Sequence, residues 1–374
     1  KAVDPTIKIT VVWMLGGAWN KTVFQEVASV VDGVNVHHYA QNAGSENDQG
    51  LLAVSAESDV LMKDVRHQLD EHGVKGKQYD IWLTEWNSVD FNPGAQILQH
   101  VQGLFIADYL GHLAQAPIQV ANMWALYNGR DKRLGDYSLL ARDGDPQGYN
   151  FRRPAYWGFQ MLSNSLTGTL LQGSSDQEQL SSWMAKREDG KISLVFVNKN
   201  DQTDYKTTIK VPGLKGEASV EVLSVENSGG ILGNEPMGKT HDGSGPKVEK
   251  KTVGDGTTLV IPKFSVVAVS LKKKIDPDWM PDSVQHPIRT KPFESSPSFP
   301  IPGGRAFLFG LAEASRRRMD SGASGRSPTD VRARSLRAQA TRGGRPVGWL
   351  VARMAGSVWC RCTRSRSPIG SSKS

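Results

Sequence analysis

Four short β-branched runs, each followed by a helix-length apolar repeat, occupy the first 165 residues and point to a parallel sheet. Ile7 to Trp13 reads as the first strand, and Asn20 stands where it can cap a helix through Phe24, Val27 and Ala28. Val34 to Tyr39 is a second strand, and its near-continuous apolar start suits a strand buried on both faces. A loop from Ala40 to Gly50 leads to a helix over 58–72, where Val60, Leu61, Val65 and Leu69 recur at helical spacing ahead of Gly73. Tyr79 to Thr84 is a third strand ending at Glu85. A helix over 95–114 follows, with Ile97, Leu98, Val101, Leu104 and Phe105 on its inner side. Ile118 to Ala125 is the fourth strand, and Arg153 to Leu166 is the closing helix. Trp13, His37, Tyr39, Glu85 and Trp124 gather at strand ends, where parallel α/β folds keep their sites. No Gly-x-Gly-x-x-Gly or phosphate-binding loop supports a nucleotide fold.

From Leu170 the pattern becomes short strands with turn residues between them: Leu194–Asn198, Tyr205–Val211, Ala218–Leu223 and Ser265–Leu271. That pattern predicts an antiparallel β-sandwich, with a mobile glycine-rich loop over 227–256. The segment 275–374 is rich in Arg, Ser, Pro and Gly and reads as disordered. It carries 17 of the 45 basic residues but only 7 of the 38 acidic ones. The net charge of +7 therefore belongs to this tail, and the remainder is mildly acidic and gives no general case for nucleic-acid binding. The tail reads either as an arm for an anionic surface or as read-through or frame-shifted sequence. Both cysteines, Cys360 and Cys362, lie within it, so the rest of the chain has neither a disulfide framework nor a thiolate metal site. No apolar run is long enough to span a membrane. The expected domains are 1–168, 169–274 and the tail 275–374.

The chemistry centres on Glu85. A strand end is a rigid mount for a catalytic group, and a carboxylate among Trp82, Trp86 and Asn87 suits attack on an anomeric carbon. A glutamate in a structural salt bridge at the end of a barrel strand satisfies the local pattern equally well. Trp124 can stack on a sugar face or simply pack the rim.

Ile81-Trp82-Leu83-Thr84-Glu85-Trp86-Asn87 resembles the seventh-strand nucleophile motif of clan A glycoside hydrolases. Val36-His37-His38-Tyr39 resembles the sixth-strand motif of the α-L-arabinofuranosidases in that clan, and Asn122-Met123-Trp124-Ala125 falls at the eighth strand. Residues 1–9 resemble the passage into the fifth strand, and Arg153 to Met161 the segment leading to the appended sandwich. The resemblance covers 1–274. It implies a partial (β/α)8 TIM barrel, strands 5–8, followed by the sandwich. It also implies a retaining glycosidase acting on plant cell-wall polysaccharide or oligosaccharide, with no cofactor and no metal. Glu85 would be the nucleophile, and Tyr39 would orient it and keep it ionised. His37, Trp86, Asn87 and Trp124 would bind substrate, with Trp13 and Asn128 as weaker candidates and His38 without a chemical role.

A retaining glycosidase needs two carboxyl groups about 5–5.5 Å apart. In clan A the acid/base glutamate follows an asparagine at the end of the fourth strand, and no strand-end Asn-Glu occurs here; Asn234-Glu235 lies in the glycine-rich loop. The expectation is a truncated reading frame, weakly active or inactive unless a partner chain or self-association through open barrel edges completes the site. A β-xylosidase, an endo-xylanase, an endo-glucanase and a non-catalytic carbohydrate-binding protein stay open as alternatives. Localisation is not legible, and a secreted or periplasmic protein suits the substrate class.

Overall fold

The computed structural model describes residues 4–272, apart from Gly17 and Gln172, together with Trp349–Met354 and Ser357–Cys362. Most of the tail expected to be disordered lies outside the described residues. The two described tail segments form a separate antiparallel hairpin.

The parallel half runs β1 (Thr10–Val12), α1 (Trp19–Val27), β2 (Gly33–Gln41), α2 (Asp48–His72), β3 (Asp80–Val89), α3 (His100–Gln115), β4 (Val120–Met123) and α4 (Pro154–Ser165). Its strands pair in sequential order, β1-β2-β3-β4, all parallel. β1 and β4 are left as edges, and among the described residues this sheet does not close into a barrel.

Several local expectations are corrected. Asn20 does not cap α1, whose N-cap is Ala18. Instead Asn20 is buried and binds both backbone groups of Met14, fixing the turn that leaves β1. Helix α2 starts ten residues earlier than its apolar period suggests, at an Asn47 cap that accepts from Gly50 N at 2.7 Å. The buried residues of that first stretch are Leu51, Leu52 and Ser55, and Ser58 follows on the same stripe; the two small polar side chains interrupt the apolar signal, while Val60 faces solvent. Gly73 ends the helix with an extended backbone; a Cβ there would lie 2.5 Å from the Tyr79 ring and from Leu69 O, so close approach dictates the glycine.

The antiparallel half comprises β5 (Thr169–Leu171), β6 (Leu180–Lys186), β7 (Ile192–Asn198), β8 (Tyr205–Thr208), β9 (Lys215–Leu223), β10 (Lys247–Gly254), β11 (Thr258–Ile261) and β12 (Ser265–Leu271). A six-stranded sheet, β10-β9-β12-β7-β6-β5, and a two-stranded ribbon, β11-β8, share a core that includes Ile192, Leu194, Ile209, Val220, Ile261 and Val269. The expected mobile loop over 227–256 is different in kind. Its last part is the edge strand β10, and its first part is bonded to the parallel half.

Residues 4–272 belong to one compact unit. Helix α3 is its axle. It crosses α4 where Gly158 meets Gly103, so closely that a Cβ on Gly158 would overlap the Gly103 carbonyl. Gly111 leaves room for the Trp183 ring of β6. Fully buried Asp108 pairs with Lys199 at 3.2 Å, and His100 Nε2 donates to Phe264 O at 2.8 Å. These bonds hold the antiparallel half against α3.

Candidate active site

Strand β3 is regular up to Leu83, with Ile81 and Leu83 wholly buried between more open neighbours. The register then slips: Leu83 pairs with Val36 but Glu85 pairs with His37, and the β4 partners shift over the same stretch. This bulge reverses the alternation. Trp86 becomes the next buried side chain, and Thr84 and Glu85 are both left partly open. Bulges re-aim side chains in this way. Without the slip, Glu85 would follow Ile81 and Leu83 into the buried layer.

Glu85 therefore emerges with its side chain 32% exposed, beside two groups of β2. Tyr39 donates its hydroxyl to Glu85 Oε2 at 3.0 Å, and His37 Nδ1 lies 3.5 Å from the same oxygen. Burial, and then the Glu85 charge, push the Tyr39 phenol well above its ordinary range, so it remains a protonated donor. The Tyr39 ring packs edge-on against Tyr137 at 6.2 Å. Both join Val89, Ile97, Leu98, Ile231 and Trp124 in one apolar cluster beneath the site.

Three candidates are placed otherwise than the sequence suggested. Trp86 is fully buried and stacks on Tyr109 of α3 at 4.9 Å, so it packs the helix layer and cannot touch a sugar. Asn87 is buried as well. Its Nδ2 donates to the carbonyl of Trp124 and to that of Tyr137, and its Oδ1 accepts from Gln102 Nε2 at 2.7 Å. It braces the backbone beside the site rather than a ligand. Trp13 is buried edge-on against Phe24. Trp124 is half-buried against the same apolar cluster as Tyr39, and His37 is open to solvent. His38 turns to Tyr109, sharing a 2.5 Å hydrogen bond, and burial lowers its pKa to about 4. Asn128 stays in the loop after β4, bonded to Gly129 and Ser138.

Sequence reasoning missed Tyr137, Gln102 and the braces of the rim. Gln102 had a usable signal, a polar residue on a helix otherwise apolar and buried at that level. Tyr137 and the braces come together only through tertiary contacts. Asp90 Oδ1 accepts from Ala43 N at 3.0 Å, and Arg133 pairs with Glu46 at 2.6 Å, tying the three loops after β2, β3 and β4 together. Arg153, itself buried, holds Asp136 at 2.7 Å and Asp145 at 2.8 Å, and Arg130 holds Asp145 from the other side at 2.8 Å. The glycine-rich segment reaches the same rim, since Ile231 N donates to Leu98 O at 3.0 Å and Arg130 to Pro236 O at 2.9 Å. Among the described residues no cluster of His, Cys, Asp and Glu could hold a metal ion.

No family profile matches this sequence, and no curated protein is significantly similar to it. Solved structures do share its fold. An α-L-arabinofuranosidase from Thermotoga maritima, solved with arabinose, superposes with a TM-score of 0.58 at 19% identity, over 72% of this chain and 58% of that one. A GH51 α-L-arabinofuranosidase from Thermotoga petrophila RKU-1 gives 0.56 at 18%, over 72% and 59%. The GH51 arabinofuranosidase from Xanthomonas axonopodis pv. citri gives 0.52 at 15%, again over 72% and 59%. The chain thus spans less than two thirds of the length of the structures it matches. At these identities the likeness is one of fold: over the aligned part, this chain is built like the α-L-arabinofuranosidase structures.

Proposed function

We propose that this chain is the nucleophile-bearing part of a retaining clan A glycoside hydrolase, most like an α-L-arabinofuranosidase, acting on plant cell-wall polysaccharide or oligosaccharide. The observation that carries the reading is the Tyr39–Glu85 bond, 3.0 Å long, at the open end of a parallel strand. A carboxylate there, fixed by a hydroxyl donor and flanked by an imidazole, is equipped to attack an anomeric carbon. The fold likeness to arabinofuranosidase structures supports it independently.

In this reading Glu85 attacks the anomeric carbon and forms a glycosyl-enzyme ester, and Tyr39 orients the carboxylate. Water then releases the sugar from the same carbon. His37 and Trp124 contact the sugar, while Asn87 braces the Trp124 backbone. The leaving oxygen must also be protonated. Among the described residues no second carboxylate joins the bonds around Glu85. We propose further that association along the sheet edges completes the site. The apolar Ile9, Val12, Met14 and Trp19, exposed on and beside the β1 edge, would then be covered.

Hydrolysis of 4-nitrophenyl α-L-arabinofuranoside and 4-nitrophenyl β-D-xyloside tests the activity. The wild-type chain is expected to release nitrophenol and Glu85→Gln to release none while still binding sugar. Sugar binding with no hydrolysis by the wild type would favour the second reading, a carbohydrate-binding protein. Its support is the half-buried Trp124 beside an open polar site.

A further inference from the structure

Among the described residues the exposed Trp, Tyr and Phe side chains are Trp19, Phe91, Tyr127 and Tyr149. All of them follow the C-terminal end of a parallel strand: Trp19 after β1, Phe91 after β3, and Tyr127 and Tyr149 after β4. None lies on the antiparallel half, although that half has strands enough to display them. Single exposed apolar residues are ordinary. Their confinement to the segments that follow the strands, three in loops and Trp19 at the start of α1, at the one end of the sheet where Glu85 opens, is a pattern.

A second, independent feature falls on the same loops. Five described non-glycine residues have a left-handed backbone, and four of them are Phe91, Asn92, Leu134 and Asn150. Asparagine tolerates that conformation, but a bulky aromatic at φ 35° does not adopt it without strain. Phe91 is nonetheless 84% exposed, so no core packing of its own ring holds it there. The surroundings hold it instead. Asp90 is bonded to Ala43, Asn92 Oδ1 accepts from Arg133 N at 3.0 Å, and Pro93 O accepts from Gly135 N at 3.0 Å. Tyr149, 65% exposed, precedes left-handed Asn150, which the Tyr127 hydroxyl binds. Loops braced in advance present their rings with little backbone ordering left to be lost on binding. A flat, hydrogen-rich sugar face is a ligand that an open aromatic ring can take without enclosing it.

We infer that this rim is a stacking platform for an oligosaccharide chain running beyond the sugar held at Glu85, with Phe91 and Tyr149 as its main surfaces. The inference rests on the glycosidase reading and deepens it. The substrate is a chain of several sugars, and a lone terminal residue leaves most of the rim unused.

Calorimetry on the full chain carrying Glu85→Gln, which prevents turnover, tests this with xylobiose, xylohexaose, arabinobiose and arabinohexaose. One hexasaccharide should bind roughly tenfold tighter than its disaccharide. Phe91→Ala or Tyr149→Ala should each remove roughly two- to tenfold of that gain and leave disaccharide affinity unchanged, while Phe91→Trp should keep it. Unchanged melting temperatures establish that the variants are folded. Equal affinity for short and long chains, or hexasaccharide binding indifferent to both alanine variants, would overturn the platform and leave the glycosidase reading standing. No binding of any of the four sugars would overturn both.

Discussion

The hydrogen bond from His100 to Phe264 O makes an acid-sensitive clasp between the two halves. His100 begins α3 and is almost completely buried. The carbonyl only accepts, so the ring donates through Nε2, and Nδ1 has no partner. A proton on Nδ1 would bury a charge with no acceptor. Burial lowers the His100 pKa from 6.5 to about 4, outweighing the Phe264 bond and the Glu226 charge, which act the other way. The unfolded chain therefore binds a proton at higher pH than the folded one, and stability falls as pH drops from 6.5 towards 4. From that gap, His100 should cost about 2 kcal/mol by pH 5 and roughly 3 kcal/mol near pH 4. Half-buried His38, its pKa also lowered to about 4 by burial, should add a loss of similar sign. The assay is urea unfolding between pH 7.5 and 4.5. Wild type should lose stability over that interval, and His100→Gln should start less stable but show a slope shallower by about 2 kcal/mol. Parallel slopes for wild type and variant would show that His100 is free to protonate in the fold, and the clasp as described would be wrong.

Three further outcomes follow from packing. Arg153→Met strands Asp136 in the interior and leaves Asp145 to Arg130 alone, so it should cost about 3–5 kcal/mol in urea unfolding; a loss below about 1 kcal/mol would contradict the buried network. Gly158→Ala should destabilise by about 1–3 kcal/mol because its methyl group overlaps the Gly103 carbonyl, where an open helix position would gain from the same change; a higher melting temperature would refute the close crossing. Trp86→Phe should cost about 1–2 kcal/mol of stability yet leave saccharide affinity unchanged, since the ring stacks on Tyr109; weaker sugar binding by a folded variant would restore Trp86 to the site.

Order and type of the parallel elements were legible because β2, β3 and α3 are buried and carry continuous apolar or helical periods. The first ten residues of α2 were hidden because Ser55 and Ser58 separate buried Leu51 and Leu52 from the apolar stripe that resumes at Met62. β10 was hidden because six of its eight residues are exposed on an edge, so burial imposes no alternation there. At the candidate site, the nearness of Glu85, Tyr39 and His37 was legible because all three stand near the ends of strands that pair as neighbours. Trp86 turns inward because of a bulge at Thr84–Glu85, which leaves no mark in composition. Asn87 is polar yet buried, because its partners are the Trp124 and Tyr137 carbonyls and Gln102, which are distant in sequence. The rim ties between Glu46 and Arg133, and between Asp136, Asp145 and Arg153, join residues from separate loops or distant turns, which no local pattern encodes.

Covalent trapping tests the central claim most directly. The chain is incubated with 2-deoxy-2-fluoro glycosyl fluorides of the arabinofuranosyl and xylosyl series, digested, and mapped by mass spectrometry. A glycosyl adduct on the peptide containing Glu85, formed more slowly in Tyr39→Phe and absent in Glu85→Gln, is the result expected of a nucleophile oriented by that 3.0 Å bond. An adduct on another carboxylate, or none from either series, would contradict it.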